Sequence, residues 1–166
     1  MQLPEGYPAD SAAAFALLKT RKRLSLDDVK VLAILECFGE EFYFGLARQV
    51  PNDEARALLM RNGQEERAHA HRLLKATRLL GGEEFELPSA AENPFLQTPS
   101  PPIPVTADLL AAFAQGEADG DLQYQAWADA EPNAEVAKLY RQNGLEETRH
   151  GERLAQVRKI LQAGAG

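Results

Sequence analysis

Cysteine is almost absent from these 166 residues: Cys37 stands alone, so the chain forms no internal disulfide and cannot build a four-cysteine iron or zinc centre. Long apolar runs are missing too. None approaches the ~18 residues of a membrane span, and the first residues, MQLPEGYPADSAAAFALLKTRKR, lack a basic start followed by an apolar stretch and a cleavage site. Basic charge is in deficit, with 18 Lys and Arg against 25 Asp and Glu for a net charge of -7. That removes the electrostatic footprint of a nucleic-acid binder. These absences predict a soluble cytoplasmic protein with neither nucleic acid nor membrane as partner, and a reducing compartment suits the lone thiol.

What is present is enough hydrophobic residue, 45% of the chain, to bury one substantial core, and residues 1–166 are expected to form a single domain. Ser25 followed by Asp28 reads as an N-cap with its acidic partner, after which Val29, Leu32, Glu36, Glu40, Tyr43, Ala47 and Val50 recur on one helical face. That face is apolar at both ends and acidic in the middle. The pattern predicts helices over about 26–50 and 52–80, the second stopped by Gly81-Gly82, then over 107–130 and 133–162. Residues 83–105 carry six of the ten prolines and no sustained period. Extended at ~3 Å per residue, such a segment reaches the ~37 Å length of a 25-residue helix and returns the chain to the other end of a bundle. Residues 1–24 form an extension in which Ser11 to Leu18 reads as a short helix covering the core, with contact to a second subunit as the alternative.

The strongest regularity is a repeat. NGQEERAHAHRL from Asn62 returns as NGLEETRHGERL from Asn143, and a shift of 81 aligns Glu36–Leu73 with Glu117–Leu154 at 15 of 38 positions without a gap. Two helical hairpins joined by a long crossover predict an all-α four-helix bundle with pseudo-twofold symmetry.

In a helix, residues three apart share a face, so Glu66 points with His69 and Glu147 with His150, on the inward side defined by Leu73 and Leu154. Glu36 and Glu117 lie at the centre of the other two inward faces. Folding therefore brings four carboxylates and two imidazoles into the middle of the bundle, where unpaired ionised groups cost several kcal/mol each. Two divalent cations resolve this: four positive charges match the carboxylates, and each imidazole supplies one nitrogen. One Glu from each of two helices plus Glu-x-x-His from each of the others is a dinuclear-site pattern. A single Glu-x-x-His is weak evidence. Two, each with a Glu thirty residues upstream on an apolar face, are a specific signal.

Neighbouring polar residues have softer roles. Tyr43 and Tyr124, two turns beyond Glu36 and Glu117, are candidates for bonding a ligand carboxylate or carrying an electron, with core packing as the alternative. Asn62 and Asn143 are placed to hydrogen-bond a ligand, and Glu40 and Asp121 to add a ligand or relay protons. Glu65 and Glu146 lie about 100° off the metal face and are expected in solvent, as is His71, whereas Cys37 reads as a small core residue.

Taken together, Glu36-x6-Tyr43…Glu66-x-x-His69 and its copy Glu117-x6-Tyr124…Glu147-x-x-His150 resemble the ferritin-like superfamily, and the Glu-x6-Tyr element is most similar to its rubrerythrin branch. The resemblance spans about Leu26 to Gln162 and implies a ferritin-like bundle with two iron ions, or manganese, bridged by Glu66 and Glu147. Glu36 and Glu117 would then be terminal ligands and His69 and His150 the nitrogen ligands. It implies an oxidoreductase reacting with peroxide or dioxygen. A manganese catalase, a di-iron hydroxylase and a non-catalytic iron-binding or storage protein are the alternatives, besides a structural bundle whose site is empty or holds zinc. The four-cysteine rubredoxin-like domain of rubrerythrin has no counterpart here, so a peroxidase would draw electrons from an external donor. A homodimer or higher homo-oligomer is expected.

Overall fold

The computed structural model describes residues 1–83, 85–98 and 103–164, and its described residues contain five α-helices and no strand. Helix α1 spans Ser11–Lys19, α2 Leu26–Gln49, α3 Asp53–Leu79, α4 Ala107–Ala130 and α5 Ala134–Ala163, and Pro94–Leu96 make one 3₁₀ turn in the crossover. Side chains start every helix: Asp10, Asn52, Thr106 and Asn133 accept from free first-turn amides. Ser25 and Asp28 form a reciprocal capping box on α2. Helix α3 stops at Gly81, whose φ of 79° only glycine adopts without strain. The Gly81 and Gly82 amides then return to the carbonyls of Arg78 and Thr77.

Two apolar clusters fill the bundle ends. One joins the start of α2 (Val29, Leu32) to the ends of α3 and α4 (Leu73, Trp127) and the start of α5 (Val136, Tyr140). The other joins the end of α2 (Leu46, Val50) to the starts of α3 and α4 (Leu59, Leu110) and the end of α5 (Leu154, Val157). Each hairpin is therefore antiparallel. Because α3 ends at one end of the bundle and α4 begins at the other, a crossover joins them. Asn93 ties this crossover to α2 by donating to the Ile34 carbonyl at 3.0 Å, and Phe95 packs into the first cluster. Glu84 and residues 99–102 of the Pro-rich stretch lie outside the described residues.

Helix α1 sits on α2 with Ala14 and Leu18 fully buried, so it covers this chain's own core. The main helix interfaces are α2 with α3, α4 with α5, and α3 with α5; α2 and α4 stand apart along their centres. Between the two apolar ends lies a polar layer.

Candidate metal centre

Helices α3 and α5 cross the middle of the bundle side by side, and their repeated segments face each other there. The structure brings all six expected residues together. One ligand atom from each of Glu36, Glu66, His69 and Glu147 lies within 4.8 Å of the others, and the same holds for Glu66, Glu117, Glu147 and His150. Glu66 and Glu147 belong to both groups. His69 Nδ1 is 3.6 Å from Glu66 Oε2 and 3.3 Å from Glu147 Oε1, while His150 Nδ1 is 3.2 Å from Glu66 Oε1 and 3.1 Å from Glu147 Oε2. Each of these two carboxylates thus turns one oxygen to either imidazole. The imidazoles stack in parallel with centroids 5.2 Å apart. His69, His150, Glu36, Glu66 and Glu147 are buried, and Glu117 is partly exposed.

Burial and charge set the electrostatics of this layer. Burial, reinforced by the neighbouring carboxylates, raises Glu36 and Glu117 well above the usual range. Burial acts the same way on Glu66 and Glu147, but contact with the imidazoles overcomes it and holds both low. The imidazoles are raised against their own desolvation by surrounding carboxylates, His150 to about 12. Burial and carboxylate repulsion thus favour protons on Glu36 and Glu117, while the surrounding carboxylates favour them on the imidazoles. Hydrogen bonding remains unsatisfied even so. Nδ1 of both histidines, Nε2 of His150 and Oε2 of Glu147 are buried without a hydrogen-bond partner despite their short distances. Buried polar groups are normally bonded, so unpartnered nitrogen and oxygen atoms converging on shared points fit a cation that displaces the protons.

The outer contacts cross between hairpins. Glu146 Oε2, on α5, meets His69 Nε2 on α3 at 3.1 Å and accepts from Arg72 Nη2. Glu65 Oε2, on α3, lies 3.2 Å from His150 Nε2 on α5 and accepts from Arg153 Nη1 at 2.7 Å. Arg72 also donates to Asn143 Oδ1 at 2.5 Å, and Arg153 to Asn62 Oδ1 at 2.8 Å. The expectation that Glu65 and Glu146 face water is therefore corrected. Both are only partly exposed, and each lies against an imidazole of the opposite hairpin. The imidazole and arginine contacts outweigh burial, hold Glu146 down at about 2 and keep Glu65 well below the usual carboxylate range. A carboxylate on Nε2 keeps the proton there and leaves Nδ1 free for a metal. A wheel of one helix cannot find this contact, but a signal existed: Glu65/Glu146 and Arg72/Arg153 are among the repeat identities.

The remaining candidates resolve individually. Tyr43 donates to Glu117 Oε1 and Tyr124 to Glu36 Oε1, so each tyrosine serves the carboxylate of the other hairpin. Burial raises both phenols well above their usual range, and they stay protonated donors. Asn62 Nδ2 donates to the His150 carbonyl at 3.3 Å and Asn143 Nδ2 to the Tyr124 hydroxyl at 3.2 Å, so the asparagines brace the layer without touching the central carboxylates. Glu40 pairs with Arg67 and Asp121 accepts from Gln125 and Thr148; neither joins the cluster. Cys37 is buried and its thiol is pushed up to about 12 by desolvation, while His71 is exposed.

The glycine that follows each asparagine also has its reason. A Cβ on Gly63 would lie 2.6 Å from the Phe44 ring, and one on Gly144 would lie 2.7 Å from Asp121 Oδ1. Both let the two helices of a hairpin approach closely. Gly39 likewise leaves room for the Glu66 carboxylate, 3.2 Å from where its Cβ would be.

An all-helical bundle with a duplicated buried Glu/His layer defines the ferritin-like class, proteins whose helices present carboxylates and imidazoles to a metal pair. The rubrerythrin family model matches residues 32–158, and the chain belongs to that family. Searches of curated proteins and of solved structures give no significant match. No helix among the described residues is long and apolar enough to cross a membrane.

Proposed function

We propose that the chain is a dinuclear-metal oxidoreductase that holds two iron ions, with manganese as the alternative, and reacts with peroxide or dioxygen. The observation that carries this reading is the pair of buried, unbonded Nδ1 atoms facing Glu66 and Glu147, whose oxygens divide between them. On this reading Glu36, Glu66, His69 and Glu147 would hold one metal ion, and Glu66, Glu117, Glu147 and His150 the other. Two iron(II) ions would supply the electron pair for cleavage of an O–O bond.

The protein's own groups do the rest. Glu146 bonds His69 Nε2, Glu65 stands 3.2 Å from His150 Nε2, and Tyr124 and Tyr43 donate their hydroxyls to Glu36 and Glu117. A tyrosine so placed can return a proton to a terminal carboxylate or carry an oxidising equivalent away from it. Reducing equivalents come from a separate donor, since these 166 residues hold one cysteine. Self-association into a homodimer or larger homo-oligomer is part of the proposal.

Stopped-flow mixing of the iron(II)-loaded protein with hydrogen peroxide and with oxygen tests the reading. Oxidation of protein-bound iron well above the rate for free iron(II) is expected with at least one of them. Equal rates with both would reject the oxidoreductase and leave a metal-binding protein.

A further inference from the structure

A cavity of about 340 Å³ fills the gap between α2 and α4, directly above the carboxylate layer. Its floor is Glu36, Glu66, Glu117 and Glu147, and its walls are apolar, led by Leu32, Leu35, Phe38, Phe113 and Trp127. Ser11, Ala12 and Phe15 of α1 form part of the rim. The volume is roughly ten times the ~30 Å³ that one water occupies in the liquid, so it is far larger than peroxide or dioxygen requires. A polar floor under apolar and aromatic walls is the composition of an organic-ligand site, and about 300 Å³ is the lower end of the size range for one.

The repeat shows how the space is kept open. Position 116 of α4 corresponds by the 81-residue shift to Leu35 of α2, which is nearly buried against the same cavity. On α4 the residue is Gly116, in mid-helix and exposed, and a Cβ there would meet nothing within 4 Å. Gly63, Gly144 and Gly39 are explained by close neighbours, but Gly116 is not. A glycine inside a helix is unfavourable without a packing or functional reason. A second leucine facing Leu35 would narrow the gap between α2 and α4, and Gly116 removes it.

We propose that this cavity is the binding site of a compact, neutral, apolar organic molecule, which enters past Gly116 and rests against the carboxylate face of the centre. That the occupant is a substrate rests on the oxidoreductase reading; that it binds does not. Its class follows from the lining. Aromatic and aliphatic walls favour a hydrocarbon-like or aromatic skeleton, and the same walls would strip the water from the charge of an anionic one.

The probe is 4-fluorotoluene, followed by ¹⁹F NMR, with 4-fluorobenzoate as its anionic counterpart, and metal content is measured separately on each sample. Saturable binding of 4-fluorotoluene with a change in Trp127 fluorescence, and at least tenfold weaker binding of 4-fluorobenzoate, are expected. Gly116→Leu should weaken 4-fluorotoluene binding at least tenfold with metal content unchanged. Ala12→Trp, at an exposed rim position, gives the same readout should the first variant fold poorly. Absence of saturable binding to the natural sequence, or equal binding by folded variants, overturns the proposal. So does protein self-association that competes with the probe, which assigns the gap to a second copy. Probe binding without metal leaves the cavity standing and the functional reading refuted; metal without probe binding does the reverse.

Discussion

Replacing Glu146 by glutamine tests the crossed arrangement of the centre. The substitution keeps shape and size but removes the charge that meets His69 Nε2 at 3.1 Å and receives Arg72. His69 then loses a charge-assisted partner, and the arginine is left facing a neutral amide. Outer partners of this kind are worth 10–100-fold in metal affinity, or about 1.4–2.8 kcal/mol. The loss should fall on one position only. His69 serves the group with Glu36, whereas His150 faces Glu65, itself bonded by Arg153, and the substitution leaves both in place. Cobalt(II) titration against a competing chelator, followed in the visible d–d bands, resolves the two positions as two steps. Glu146→Gln should weaken one step by 10–100-fold and Glu65→Gln the other, the double variant weakening both. Equal weakening of both steps by Glu146→Gln alone, or of neither, refutes the crossed assignment.

Gly63→Ala should destabilise the protein, because its Cβ would lie 2.6 Å from Phe44 and 3.0 Å from the Glu40 carbonyl. Overpacking of about 1–3 kcal/mol exceeds the ~1 kcal/mol that alanine gains in helix propensity. Gly116→Ala, with open space around it, should instead raise the melting temperature, by about 2–4 °C per kcal/mol gained. Metal affinity should rise with pH, because the surroundings of His69, His150, Glu36 and Glu117 favour protons that metal must displace, and loading in weak buffer should release protons. Release of none would contradict those pKa directions. Asp28→Asn should cost about 1–2 kcal/mol at pH 7. Ser25, Tyr7 and Arg21 outweigh burial and hold this carboxyl below 3.8. Its contribution is complete above that value and lost as pH falls through the lower folded one, so urea titrations should show the variant with a flatter acid limb below about pH 4.

Much of the fold was legible because its signals are local or duplicated. Ser25 with Asp28 marks a helix start by spacing alone, and Gly81-Gly82 marks a stop. The six central residues were legible for another reason: Glu66 with His69 and Glu147 with His150 each fit one turn, and the repeat supplies the independent second instance. What escaped depends on how two helices face each other. Glu65 looks solvent-facing on α3, and only the approach of α5 brings His150 Nε2 to it. The same holds for Gly63, whose need for a missing side chain is visible only once Phe44 lies against it. The cavity beside Gly116 arises from the repeat's failure to repeat, and a search for identities passes over it.

The crossed contacts bear on inheritance. Each hairpin supplies the tyrosine and the acidic clasp that the other one uses, so a single hairpin carries parts it cannot employ alone. Two identical hairpins meeting across a dyad would complete one another, as the partners of a symmetric dimer do. Joining them in one chain releases each half from the obligation to match its twin. Leu35 and Gly116 already differ, and that divergence gives the centre one open side where an unfused pair would hold two identical walls.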